Sequence, residues 1–172
     1  MKNLVYFLGF VCMAVAYSAS ATEIESLRLR IQDSSTELTA SEKSVISKFL
    51  SDTIDEMMLA DSSKDCVEIR RQLAEQKGIE YLSNYTVAYI NEAKSAIEAA
   101  FADARRLQDP QQRQMVERNL MILTAELESP ELAPLALQRL DTEDDIIRYW
   151  AFKAVTNSAL IQQLTSDITG DE

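Results

Sequence analysis

Only three glycines and three prolines punctuate 172 residues. A β-sandwich or barrel reverses its chain about every 10 residues, mostly through Gly, Pro, Asn and Asp, and this chain lacks the breakers for that. Its apolar residues instead return at steps of three and four. Val45, Ile46, Phe49, Leu50, Ile54, Met57 and Met58 are one such stripe, the mark of a helix with one buried face. No segment sustains strand alternation. The expected class is all-α, with about six helices joined by short connections, packed as antiparallel hairpins in a short solenoid or an irregular bundle.

Capping residues divide the chain. Thr39-Ala40-Ser41-Glu42 forms a capping box, in which hydroxyl and carboxylate each satisfy an orphan backbone N–H, and opens a helix to about Ala60. A second is expected from Ser63 to Lys77, with Gly78 at the left-handed position past its end. The third and longest runs from about Glu80 to Leu107 on a stripe that includes Tyr85, Tyr89, Ala93, Ile97 and Phe101. Asp109 as N-cap, Pro110 at the first helical position and Gln112 closing the box start a fourth, to Leu127. Ser129-Pro130 starts a fifth, to Leu140, whose first turns Pro134 should make irregular. Thr142 with Asp145 caps a sixth from Glu143 to about Val155, burying Ile147, Trp150, Ala151 and Ala154. Leu160, Ile161 and Leu164 suit a last short helix, and residues 165–172 a frayed acidic tail. Residues 22–38 fit two patterns. Ile24, Leu27 and Ile31 lie on one helical face, whereas Leu27, Leu29 and Ile31 alternate like a strand, so a weakly ordered lead-in or a short helix is expected there. Residues 39–164 are read as one helical domain.

The first 21 residues read as an export signal. Lys2 is followed by the apolar run Leu4–Ala16, then by Ala19-Ser20-Ala21, the small-residue cleavage pattern. The run is short of the ~20 residues a membrane span needs. Val11 before Cys12 does not suit lipidation. Cleavage after Ala21 removes one of 17 basic residues and leaves 28 acidic ones. It also leaves Cys66 as the one cysteine, so the mature chain forms no internal disulfide and relies on packing. The expected location is the periplasm or the extracellular space.

Charge and composition exclude several functions. A formal charge of -11 opposes phosphate backbones and anionic membrane surfaces. The absence of histidine removes imidazole acid–base catalysis and histidine metal ligation. With three glycines there is no Gly-rich phosphate loop. No catalytic, cofactor-binding or metal-binding set stands out, and no cofactor is expected. Carboxylates are plentiful, but glycosidase chemistry needs two at a set separation in a cleft, and no pair is singled out. A carboxylate-only hydrolase is the least favoured expectation.

A repeat is visible in the second half. Leu107-Gln108-Asp109-Pro110 and Leu140-Asp141-Thr142-Glu143 mark inter-helix turns about 33 residues apart, a spacing typical of stacked helical hairpins. In the second unit Leu132-Ala133-Pro134-Leu135 opens one helix and an acidic turn leads to Ile147-Arg148, Ala151 and Ala154-Val155. This resembles a HEAT repeat, with its aliphatic–Arg pair and two spaced small residues. The first unit matches at its turn, but Val116-Glu117 lacks the Arg and Asn119 stands where a small residue is usual. The resemblance covers about residues 94–164. It implies a protein-interaction scaffold rather than an enzyme. Tetratricopeptide repeats are the rival: Phe101 and Ala104 have their spacing, but the family's Trp and Gly positions are not filled.

Four residues are candidates for contacting a partner. Arg148 and Tyr149 belong to the triplet Arg148-Tyr149-Trp150, of the residue types that anchor interfaces. Tyr81 and Tyr85 begin a four-residue aromatic spacing completed by Tyr89, which suits either a ligand shelf or core packing with the hydroxyls at the rim. In HEAT-like units the Arg usually tethers the adjacent loop. The cluster Asp141–Asp145 suits a helix N-terminus better than a cation site, since it lacks the glycine and terminal glutamate of a calcium loop. Cys66 lies on an apolar stripe, where an inert thiol is the default. The expected partner is another exported or envelope protein, drawn in by charge if it is basic. Self-assembly into an envelope structure is the alternative, since a short helical array exposes apolar ends.

Overall fold

A computed structural model describes residues 22–31, 37–77 and 83–156. The N-terminal segment to Ala21, expected to be an export signal, lies outside the described residues, as do Tyr81, Gly78 and the segment with Leu160, Ile161 and Leu164.

The described residues are helical, with no strand among them. Residues 22–31 form α1. There follow α2 (Ala40–Leu59), α3 (Ser63–Glu75), α4 (Asn84–Ala104), α5 (Pro110–Glu126), a 3-10 turn (Pro130–Leu132), α6 (Ala133–Leu137) and α7 (Asp145–Val155). In 22–31 the helical stripe forms. Ile24, Leu27 and Ile31 are buried, while Leu29 is 62 % exposed. Strand alternation would have put Leu29 on the same side as its neighbours. The segment is therefore part of the core rather than a loose lead-in.

Local chemistry sets the boundaries. Thr39 closes the expected capping box with Glu42: Thr39 Oγ1 accepts from the Glu42 N–H, and Glu42 accepts from the Thr39 N–H. These hydrogen bonds, with Arg30 beside it, lower the Glu42 carboxyl below its ordinary value. Ser62 and Ser83 cap α3 and α4 more simply, each hydroxyl accepting from one backbone N–H, of Asp65 and of Thr86. Asp109 caps α5 with Pro110 at its start, as the sequence implies. Gln112, however, does not fold back to close a box. Its side chain donates to the Met58 carbonyl at 2.9 Å, fastening α5 to the end of α2. Pro134 breaks the expected fifth helix into the 3-10 turn and the single-turn α6, because its ring cannot sit inside a continuous helix. The sixth expected helix begins later than Glu143. Asp144, not Thr142, is its N-cap, and its Oδ1 accepts from the N–H groups of Ile146 and Ile147.

One core runs from Ile24 in α1 to Ala154 in α7. Phe49, Leu50, Ile97, Leu120 and Leu123 are almost wholly enclosed. Polar ties cross between helices, both midway along them and at their ends. Arg70 on α3 donates to Asn119 Oδ1 at 2.8 Å and pairs with Glu126 at 3.0 Å. Asn119 donates in turn to the Met115 carbonyl at 2.8 Å. Asn119 is 5 % exposed, and its burial has a reason. It satisfies a guanidinium from the neighbouring helix, as buried polar groups must. Lys77 donates to the Leu127 carbonyl at 2.9 Å, joining the ends of α3 and α5, and Arg139 lies 4.0 Å over the Phe101 ring, a cation–π contact between the α6 end and α4.

Candidate interaction surface

Among the described residues, α7 exposes more large apolar side chains than any other helix. Eight large hydrophobic side chains are exposed among the described residues, and Ile146, Tyr149 and Phe152 lie on this one helix of 11 residues. They follow each other at three-residue steps, which places them on one arc of the helix. The other side of α7 buries Ile147, Ala151 and Ala154 against the core. Trp150 lies between the two arcs, half-buried. Its ring meets Tyr149 edge-on at 5.5 Å, and the Lys153 ammonium sits 4.5 Å from its centre. Tyr149 and Phe152, 61 % and 60 % exposed, therefore stand out from an aromatic and cationic base.

The turn before α7 holds this face in place. Asp144 accepts from Arg118 Nε and Gln114 Nε2, both at 2.9 Å, while capping α7. Burial pushes its carboxyl up, but the backbone N–H of Ile147 and the side chains of Arg118 and Gln114 outweigh that and hold it below its ordinary value. One carboxylate thus fixes the start of α7 to the middle of α5. Arg148 donates to the Thr142 carbonyl at 3.2 Å and is paired with Asp145. It tethers the acidic turn, and half of its side chain stays exposed. Within the acidic cluster Asp144 caps α7 and pairs with Arg118, and Asp145 pairs with Arg148. No cluster of acidic or cysteine side chains suited to a metal occurs among the described residues.

Tyr85 does not belong to an exposed surface. It is 1 % exposed, and its hydroxyl donates to the Gln76 carbonyl at 3.0 Å. Tyr89 is wholly buried, donates to the Leu73 carbonyl at 2.6 Å and stacks on Tyr85 at 6.0 Å. The pair anchors the C-terminal end of α3 to α4, and burial raises both phenols above their ordinary range. The four-residue spacing identified a shared face, and that face is core. Ile146 and Phe152 were not singled out in the sequence. Their three-residue step to Tyr149 was the available signal, masked by the stronger pattern of Ile147, Ala151 and Ala154 on the other side.

Cys66 is buried, with its thiol 3.9 Å from the Met57 carbonyl. Burial and then Asp65 push it above its ordinary value, the reverse of an activated thiolate. In a Cys12→Ser background, a thiol reagent should label Cys66 at least about 100-fold more slowly in the native protein than in denaturant, because only opened molecules react. Comparable rates in the two states, followed by absorbance, would show an accessible thiol.

The chain matches no protein-family model, no curated protein sequence and no solved structure. No helix among the described residues is long and apolar enough to cross a membrane.

Proposed function

We propose that this chain is an exported helical binding module, with HEAT-like hairpins in its C-terminal half, that engages another exported protein through the outer face of α7. The observation that carries the reading is the α7 arc itself. Ile146, Tyr149 and Phe152 are exposed together on a helix whose other side is fully used by the core. Aromatic side chains give large contact area at small entropic cost and are enriched where binding energy concentrates. The Arg148 tether to the Thr142 carbonyl supports the HEAT-like reading, since it is the role that family gives its Arg. Export rests on the N-terminal pattern ending at Ala21. The excess of acidic residues would speed encounter with a basic protein.

Two measurements bear on this. The intact mass of the protein from its own cells should correspond to residues 22–172, and an unprocessed chain would remove the export part. Replacing Tyr149 and Phe152 together by Ala should shift the melting temperature by no more than about 2 °C, as expected for exposed positions, while weakening partner binding about 10-fold or more. Unchanged binding would move the contact off α7.

A further inference from the structure

A second surface, built by other helices, stands independently of the α7 face. A groove of about 560 Å³ runs between α2 and α4. Its floor is apolar, made by Ile54, Met58, Ala96 and Ala100. Its walls are low, since Ser47, Ser51, Ser95 and Ala99 carry the smallest side chains that still shape a helix surface. Leu59, 71 % exposed, stands at one end.

The charged residues that line this groove have one sign. Asp55, Glu92 and Asp103 line the groove, and no lysine or arginine does. Asp103 is held by Arg106, just beyond α4. Lys48 on α2 is paired with Asp52 rather than with a lining residue. Among the described residues neither Asp55 nor Glu92 has an ion-pair partner. The two helices also run in the same direction. Leu38 and Lys43 meet Asn84 and Val87 at one end, while Met58 and Leu59 meet Ala100 and Asp103 at the other. Two C-terminal helix ends, each carrying partial negative charge, therefore lie together; α2 has no basic residue in its last turn, and the basic residues at the α4 end, Arg105 and Arg106, follow that helix rather than line the groove.

We propose that this groove docks a cationic amphipathic helix of another polypeptide, its apolar side on Ile54, Met58, Ala96 and Ala100 and its Lys or Arg side chains on Asp55 and Glu92. The length fits. The eleven residue steps from Glu92 to Asp103 cover about 16 Å at ~1.5 Å per residue, three turns of a bound helix. The small walls let its backbone come close, and apolar anchors at helical spacing are how such grooves are read. Neither the C-terminal segment of this chain nor a second copy suits the groove. Residues 157–172 carry Asp167, Asp171 and Glu172 and no basic residue, and a second copy brings a formal charge of -11. Both are repelled by the same carboxylates that attract a cation.

The test uses the full chain and a fluorescent amphipathic peptide of about 18 residues, long enough to pass the three turns of the groove, with Leu and Ala on one face and Lys on the other. Fluorescence anisotropy measures its binding, with a copy bearing Glu for Lys as the charge control. The expected result is micromolar binding of the cationic peptide, none of the acidic one, and a loss of about 10-fold or more when salt rises from about 50 to 500 mM. Asp55→Lys with Glu92→Lys should weaken it about 10-fold or more. Ala99→Trp, which fills the groove from an exposed position, should do the same with the helical circular dichroism unchanged. Tyr149→Ala should leave it as in the unaltered chain. No binding of the cationic peptide at low salt overturns the proposal. So does binding that the charge reversal weakens and Ala99→Trp does not, which is attraction to an acidic surface at large. Tighter binding after deletion of residues 157–172 would mean that the chain's own C-terminal segment fills the groove, and would overturn it as well.

Discussion

Ile24→Ala is expected to destabilise the protein by about 3 kcal/mol, the usual cost of emptying a buried aliphatic site. At the entropy of unfolding of a domain this size, that lowers the melting temperature by roughly 10 °C. Leu29→Ala, five residues along the same helix, should change stability by no more than about 0.5 kcal/mol, since Leu29 is already in solvent. The contrast is the point of the pair. A peripheral segment would give two small effects, and a strand-like one would give Leu29 a cost close to that of Leu27. Chemical denaturation of the two variants, with equal slopes, decides it.

Asp144→Ala is expected to cost about 2 kcal/mol, from the lost N-cap of α7 and the lost charge-assisted hydrogen bonds, after allowing for solvent screening at Arg118. Asp144 is 11 % exposed and Arg118 33 %, so the pair is neither a free surface bridge nor a sealed one. The pH dependence has a definite sign. The folded carboxyl titrates below its ordinary value of 3.8. Its contribution is therefore fully present above that value and is lost as pH falls through it toward the lower folded one. Asp144→Asn keeps a capping side chain but removes the charge. The stability gap between it and the unaltered protein should hold from neutral pH to about pH 5 and close below about pH 4, as the linkage requires. A gap that persists undiminished in acid would mean that the carboxylate charge contributes nothing. Loosening α7 from α5 should also blur the aromatic face, so binding through α7 should weaken in Asp144→Ala although no contact residue has changed.

Much of the helical order is readable in the sequence, for stated reasons. Thr39 with Glu42 and Asp109 with Pro110 are local devices whose chemistry acts over four residues, and each caps the start of a helix. Ser129 with Pro130 marks the start of the 3-10 turn, but the Ser129 side chain makes no capping hydrogen bond there and donates to the Glu131 carboxylate instead. The stripe in α2 and that in α4 are long enough for their period to be unambiguous. Residues 22–31 were not, because Leu27, Leu29 and Ile31 fit a strand as well as Ile24, Leu27 and Ile31 fit a helix. Only the packing of α1 on the core separates them. Tyr85 shows a different limit. Period assigns residues to a common face, but not whether that face meets a neighbour or solvent. Both phenols were compatible with a rim until the carbonyls of Gln76 and Leu73 received their hydroxyls inside. Asn119, Gln112 and Arg118 show a third. Each makes its decisive bond to a residue 26 or more positions away, and no local pattern encodes such a partner.

The most direct test of the α7 reading is site-specific photo-crosslinking in the protein's own cells. A photoreactive phenylalanine at position 149 is compared with one at position 29, which is equally exposed on α1. The account predicts one discrete adduct of defined mass from position 149, absent from position 29 and lost when Phe152→Glu is added. Adducts of equal yield from both positions, or none from position 149 while the protein remains folded, would contradict it.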